Sequence, residues 1–87
     1  MSKEAWYVYI IQTEKGVLYT GITKDIERRF NEHMFEKKKG AKFFRGSIPE
    51  KIVYQENCDS RSTATKREIE IKKMKRSQKL DLIESKK

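Results

Sequence analysis

The run Trp6-Tyr7-Val8-Tyr9-Ile10-Ile11-Gln12 constrains the fold more than any other stretch of this chain. It is aromatic and β-branched, and it does not alternate between apolar and polar residues. Side chains on a strand point to opposite faces in turn, so an unbroken apolar run over Trp6–Gln12 predicts a strand buried on both faces. Glu14-Lys15-Gly16 then reads as a tight turn, with Gly16 free to take positive φ. Val17–Ile22 follows as a second strand, antiparallel to the first. That hairpin puts Tyr9 and Tyr19 on adjacent strands, where they can share a surface.

Beyond the hairpin the period changes. Thr23 is a good N-cap for a helix over about Lys24–Glu36, with Asp25 favoured in its first turn by the helix dipole. At 100° per residue the apolar stripe is Ile26, Phe30 and Met34. Arg29 and His33 flank the stripe at the edge of the core, and Arg28 points toward solvent. Lys37–Gly46 is a basic loop or short helix that contains Phe43 and Phe44, aromatics that either fill the core a domain of this size needs or stack bases. Lys51–Glu56 reads as a third strand with Pro49 just before it. Ser62 or Thr63 caps a second long helix that runs to about Lys75 and carries Ala64, Glu68, Ile71 and Met74 on one side. Ser77 caps a last short helix with Leu80, Leu82 and Ile83. The expected fold is α+β in the order ββαβαα: a three-stranded antiparallel sheet flanked by helices, with residues 1–87 as one domain.

Charge narrows the function. Lys and Arg number 21 against 13 Asp and Glu, a net charge of +8 on 87 residues. Such a field attracts polyanions, and it fits nucleic acid, an anionic membrane surface or plain solubility. No apolar run approaches the ~20 residues that span a bilayer, so no membrane role is expected. The start, MSKEAWYVYI, has no long apolar segment of the signal-peptide kind. Cys58 stands alone and cannot form an internal disulfide, which points to a reducing, cytoplasmic setting.

Several side chains can carry chemistry. Arg29 offers a fixed fork of donors suited to phosphate, or alternatively a salt bridge to Glu32 or Glu36. Glu68 sits between Ala64 and Ile71 on its helix, with Arg67, Lys72 and Lys75 as ion-pair partners. Lys37, Lys38, Lys39, Lys42 and Arg45 form a basic run that either contacts phosphates or is simply solvated.

Taken in order, Tyr9 in YVY, Tyr19 and Gly21 in LYTGIT, Arg29 and His33 in ERRFNEH, and Glu68 resemble the GIY-YIG endonuclease superfamily, over Trp6 to about Met74. Tyr7 stands where the first tripeptide has Gly, and Thr20 where the second has Ile. No Asn follows Asn57, although some members carry a C-terminal Asn in the active site. No separate DNA-binding domain of the kind attached to many members is expected, and the chain is most similar to the small single-domain bacterial branch. The resemblance implies a Mg²⁺- or Mn²⁺-dependent endonuclease acting on DNA. Tyr9 and Tyr19 would activate water and contact the phosphate, His33 would relay a proton, Arg29 would stabilise charge and Glu68 would hold the metal. It also leaves room for a protein partner that supplies substrate specificity. Two alternatives stand beside it: a non-catalytic nucleic-acid-binding module of the same fold, and a protein-interaction module.

Overall fold

A computed structural model of the chain describes residues 5–38 and 49–85, with side chains over 5–33 and 49–85. Its elements are β1 (Trp6–Thr13), β2 (Leu18–Thr23), α1 (Ile26–Lys38), β3 (Pro49–Cys58), α2 (Arg61–Lys72) and α3 (Arg76–Ser85). The order ββαβαα and the antiparallel sheet are those expected. Strand order is β2-β1-β3, so β1 is central. That position explains its sequence: Val8, Tyr9, Ile10 and Ile11 are consecutive and all buried, because both faces and both edges of β1 are covered.

The hairpin closes through Thr13. Its N–H donates to Val17 O at 2.9 Å and its carbonyl accepts from Gly16 N at 2.9 Å. Its Oγ1 accepts from Val17 N at 3.0 Å. Gly16 takes φ +85°, the left-handed residue that a three-residue hairpin loop requires. The register then sets Tyr9 opposite Gly21 and Ile10 opposite Thr20.

One face of the sheet carries the main core. Val8 and Ile10 of β1 meet Tyr54 and Cys58 of β3, Ala64 and Ile71 of α2 and Ile83 of α3. Each large aliphatic buried here contributes about 1.5–3 kcal/mol. Helix α1 packs against β1 and β3. Its His33 meets Tyr9, whose side chain points to the opposite face from those of Val8 and Ile10.

The element ends differ from expectation where capping chemistry decides them. Asp25, not Thr23, caps α1, its Oδ1 accepting from Arg28 N at 3.1 Å. Thr23 instead ends β2, and its Oγ1 accepts from Asp25 N at 3.2 Å. Ser60, not Ser62 or Thr63, caps α2 by accepting from Thr63 N. Gln78 reaches back to Lys75 N at 2.8 Å, so α3 begins one residue before Ser77. β3 starts at Pro49 itself and runs on to Cys58, longer than the predicted Lys51–Glu56. On α1, Ile26 and Phe30 are only half-buried, whereas His33 is 3% exposed. His33 therefore belongs to the interior rather than to the edge of the stripe. Met34, Phe43 and Phe44 lie outside the described side chains.

Candidate active site

Tyr9 is the hub. It is 1% exposed, and its phenol leans across β2 over Gly21, its cross-strand partner. A Cβ at Gly21 would lie 2.5 Å from the Tyr9 hydroxyl and 2.7 Å from the carbon that bears it. Gly21 has no positive φ, so the position needs glycine for space and not for backbone conformation. This reason for the third residue of Tyr19-Thr20-Gly21 is visible only once the register is known.

The phenol oxygen lies 3.0 Å from His33 Nε2, in a buried hydrogen bond. The phenol donates when Nε2 carries no proton and accepts when it does. Tyr19 completes the cluster. Its ring meets the imidazole edge-on, with centroids 5.0 Å apart and planes at 76°, and lies 6.3 Å from the Tyr9 ring. Three rings from β1, β2 and α1 thus enclose one small volume. The hydrogen bond is what makes a histidine acceptable at so buried a position, since a buried polar atom without a partner costs about 1–3 kcal/mol.

Burial pushes the Tyr9 phenol up to about 12. Tyr19 and the Glu68 carboxylate act in the same direction, while hydrogen bonding and charge from Arg29 pull it down. Arg29 on α1 and Glu68 on α2 are therefore both in electrostatic reach of one phenol, which lies over the edge strand of the sheet. The structure brings Tyr9, Tyr19 and His33 into contact, and Arg29 and Glu68 both act on the Tyr9 phenol.

The predicted ion pairs are present as well. Arg29 Nη1 donates to Glu32 Oε1 at 2.9 Å, and this hydrogen bond is the main reason the Glu32 carboxyl is held below its usual range. Glu68 Oε2 accepts from Lys72 Nζ at 3.2 Å. Arg28 also reaches Glu32, at 3.2 Å, but its side chain is 77% exposed against 36% for Arg29. The helical wheel separated the two arginines correctly.

Sequence reasoning missed the brace that fixes the helix carrying Glu68. Arg67 Nε donates to Glu56 Oε1 at 3.1 Å, and the same oxygen accepts from the hydroxyl of Tyr54. Arg67 also pairs with Glu70, and these carboxylates raise its pKa further. The bridge ties α2 to β3 one residue before Glu68. The alternation of β3 held a usable signal, because Glu56 shares its face with Tyr54.

Among the described residues no group of three or more His, Cys, Asp or Glu side chains could cage a metal. One partly buried carboxylate, Glu68, acts on the Tyr9 phenol. That donor set fits Mg²⁺, which is often held by one or two carboxylates with substrate phosphate and water as the remaining ligands. Lys37 and Lys38 close α1 and their side chains lie outside the described ones; Lys39, Lys42 and Arg45 fall outside the described residues. Among the described residues no helix is long and apolar enough to cross a membrane.

Comparison with known proteins follows the same outline. A family model described as the GIY-YIG catalytic domain matches residues 5–81. The chain is 45% identical to the UPF0213 protein DP2720 of Desulfotalea psychrophila, over 95% of this chain and 74% of that one. It is 47% identical to the UPF0213 protein SSP2268 of Staphylococcus saprophyticus, over 88% of this chain and 92% of that one. The solution NMR structure of the UPF0213 protein BH0048 from Bacillus halodurans matches with a TM-score of 0.60 and 36% identity, covering 94% of this chain and 85% of that one.

Proposed function

The chain belongs to the GIY-YIG catalytic-domain family, and from that premise we propose that it is a metal-dependent endonuclease that hydrolyses phosphodiester bonds in DNA. The observation that carries this reading is the buried Tyr9–His33 hydrogen bond, with Tyr19 edge-on to the same imidazole and Arg29 acting on the same phenol. A purely structural tyrosine would not need a histidine, an arginine and a glutamate gathered around it.

Burial divides the two tyrosines between two roles. Tyr9 is 1% exposed and its phenol is pushed up to about 12, so it stands behind the site and holds the His33 ring in place. A phenol so raised is almost wholly protonated at pH 7, which argues against Tyr9 as a resting base. Tyr19 is half-buried and meets substrate, orienting the attacking water. With Nε2–H donating to the Tyr9 phenol, His33 would accept at Nδ1 the proton passed through the Tyr19 hydroxyl. Arg29 leaves Glu32 to set its fork on the phosphate and stabilise the charge that develops there. Glu68 turns from Lys72 to hold Mg²⁺ or Mn²⁺, which when bound supplies Lewis-acid charge neutralisation at the phosphate.

The Arg29–Glu32 and Glu68–Lys72 pairs favour a second reading. If neither pair opens, the chain is a nucleic-acid-binding module without cleavage. The two readings separate when purified protein is incubated with single-stranded, duplex and branched DNA, with Mg²⁺ or with chelator. The nuclease reading expects product only with Mg²⁺, lost in Glu68→Ala. Binding without Mg²⁺-dependent product, or product undiminished in Glu68→Ala, overturns it.

A further inference from the structure

A second constellation lies beside Arg29 and has no part in the reaction described above. Trp6 opens β1, and part of its ring packs against the core while the remainder lines a cleft of roughly 460 Å³. Arg29 lines the same cleft and also acts on the Tyr9 phenol, so one side chain is common to the cleft and the candidate active site. Sites for small organic ligands span about 300–1,000 Å³. Four cations line it, Lys24, Arg28, Arg29 and Arg61, against the carboxylates of Asp25 and Glu32. Two of the cations attend the indole: Lys24 Nζ lies 5.5 Å from the ring centroid and Arg61 Cζ 5.8 Å. Both side chains are exposed, and cation–π contacts at exposed sites are weak enough to be exchanged.

Such a site offers an aromatic face for a flat ring and mobile cations for an anion attached to it. A nucleotide has both parts. We infer that Trp6, Lys24 and Arg61 form a binding site for one extrahelical nucleotide next to the phosphate held by Arg29. The base stacks on the indole, and Lys24 and Arg61 move from the ring to the nucleotide's phosphate. A base inside a duplex cannot enter, because both its faces are taken by neighbouring base pairs. The placement next to the cleaved phosphate rests on the nuclease reading; the binding itself does not.

Trp6 is the only tryptophan in the chain, so its fluorescence reports this cleft alone. The protein is titrated in chelator with a short thymidine oligonucleotide, an abasic oligonucleotide of equal length and a blunt duplex. The thymidine strand is expected to quench Trp6 saturably. The abasic strand should bind, by anisotropy, without that quench, and the duplex should quench weakly. Arg61→Ala and Lys24→Ala should weaken both single strands. Trp6→Leu should weaken the thymidine strand by roughly 5- to 150-fold, the usual loss for one stacked base, and spare the abasic strand. Trp6→Phe, which keeps a ring in the core, should restore most of that loss. Equal quenching by thymidine and abasic strands, no quenching, or a preference for duplex overturns the site. Quenching without Mg²⁺-dependent cleavage supports the cleft and removes the nuclease reading; cleavage without quenching does the reverse.

Discussion

Gly21→Ala isolates the packing on which the candidate site depends. The new Cβ would sit 2.5 Å from the Tyr9 hydroxyl, where ordinary contact begins near 3.4 Å, so the phenol tip must move by about 0.9 Å. An exposed side chain would turn aside at little cost. Tyr9 is buried on all sides and its hydroxyl is held 3.0 Å from His33 Nε2, so that movement strains the core or breaks the hydrogen bond. Overpacking a core costs about 1–3 kcal/mol, and a buried polar atom left without its partner costs about 1–3 kcal/mol more. The expected destabilisation is about 2–6 kcal/mol by urea denaturation followed by circular dichroism. In a domain of this size about 1 kcal/mol lowers Tm by roughly 4–8 °C, so the melting shift should be easy to measure. Tyr9→Leu removes the clashing atoms, and in that background Gly21→Ala should cost well under half as much. A Gly21→Ala protein within about 0.5 kcal/mol of the parent, or full additivity with Tyr9→Leu, would refute the reasoning, since surface-like tolerance has about that size.

Three further outcomes follow from single groups. Thr20 is 3% exposed and among the described residues its Oγ1 has no partner, so the near-isosteric Thr20→Val should raise stability by about 1 kcal/mol in the same urea assay. The folded Tyr9 phenol titrates near 12 against 10.0 for a free one, so it holds its proton more tightly than in the unfolded chain. Its contribution is complete below pH 10 and is lost as pH rises toward 12, and the fall in urea midpoint across that window should be smaller in Tyr9→Phe. Arg67→Leu strips the half-buried Glu56 of its ion-pair partner and should cost about 1–2 kcal/mol, with a loss of cleavage that exceeds the loss of DNA binding because the helix carrying Glu68 is no longer braced.

The sequence carries the architecture because its strongest signals are local. The apolar run of β1, the Gly16 turn and the helical spacing of Ala64, Glu68 and Ile71 each report a period or a backbone requirement within a few residues. Cap identities were less legible: Thr23, Ser62 and Thr63 are as good cap residues as Asp25 and Ser60, and the choice falls to tertiary geometry. The site divides the same way. Arg29 and Arg28 separate on a helical wheel, since only angle is involved. The depth of His33 does not, because a histidine at the rim of a stripe and one buried against a tyrosine look identical until the facing strand is in place. Gly21 depends on register, and although the alternation of β3 puts Glu56 on the face of Tyr54, its pairing with Arg67 depends on an interface between distant segments. Thr20, where the second tripeptide has Ile, is the place where a buried hydroxyl without a partner among the described residues marks a departure with a measurable cost.

The most direct test of the account compares its two adjacent arginines. Arg28 and Arg29 carry the same charge and share Glu32, so loss of either changes the long-range field almost equally. Only Arg29 acts on the Tyr9 phenol. Single-turnover cleavage of a DNA substrate with Mg²⁺ is measured for Arg29→Ala and Arg28→Ala, with circular dichroism to verify folding. If Arg29 stabilises the charge developing at the phosphate, its loss should slow cleavage roughly 100- to 1000-fold, about 2.7–4 kcal/mol, with Arg28→Ala close to the parent. Equal losses in the two variants would mean that only bulk charge matters and that the cluster around Tyr9 is not an active site.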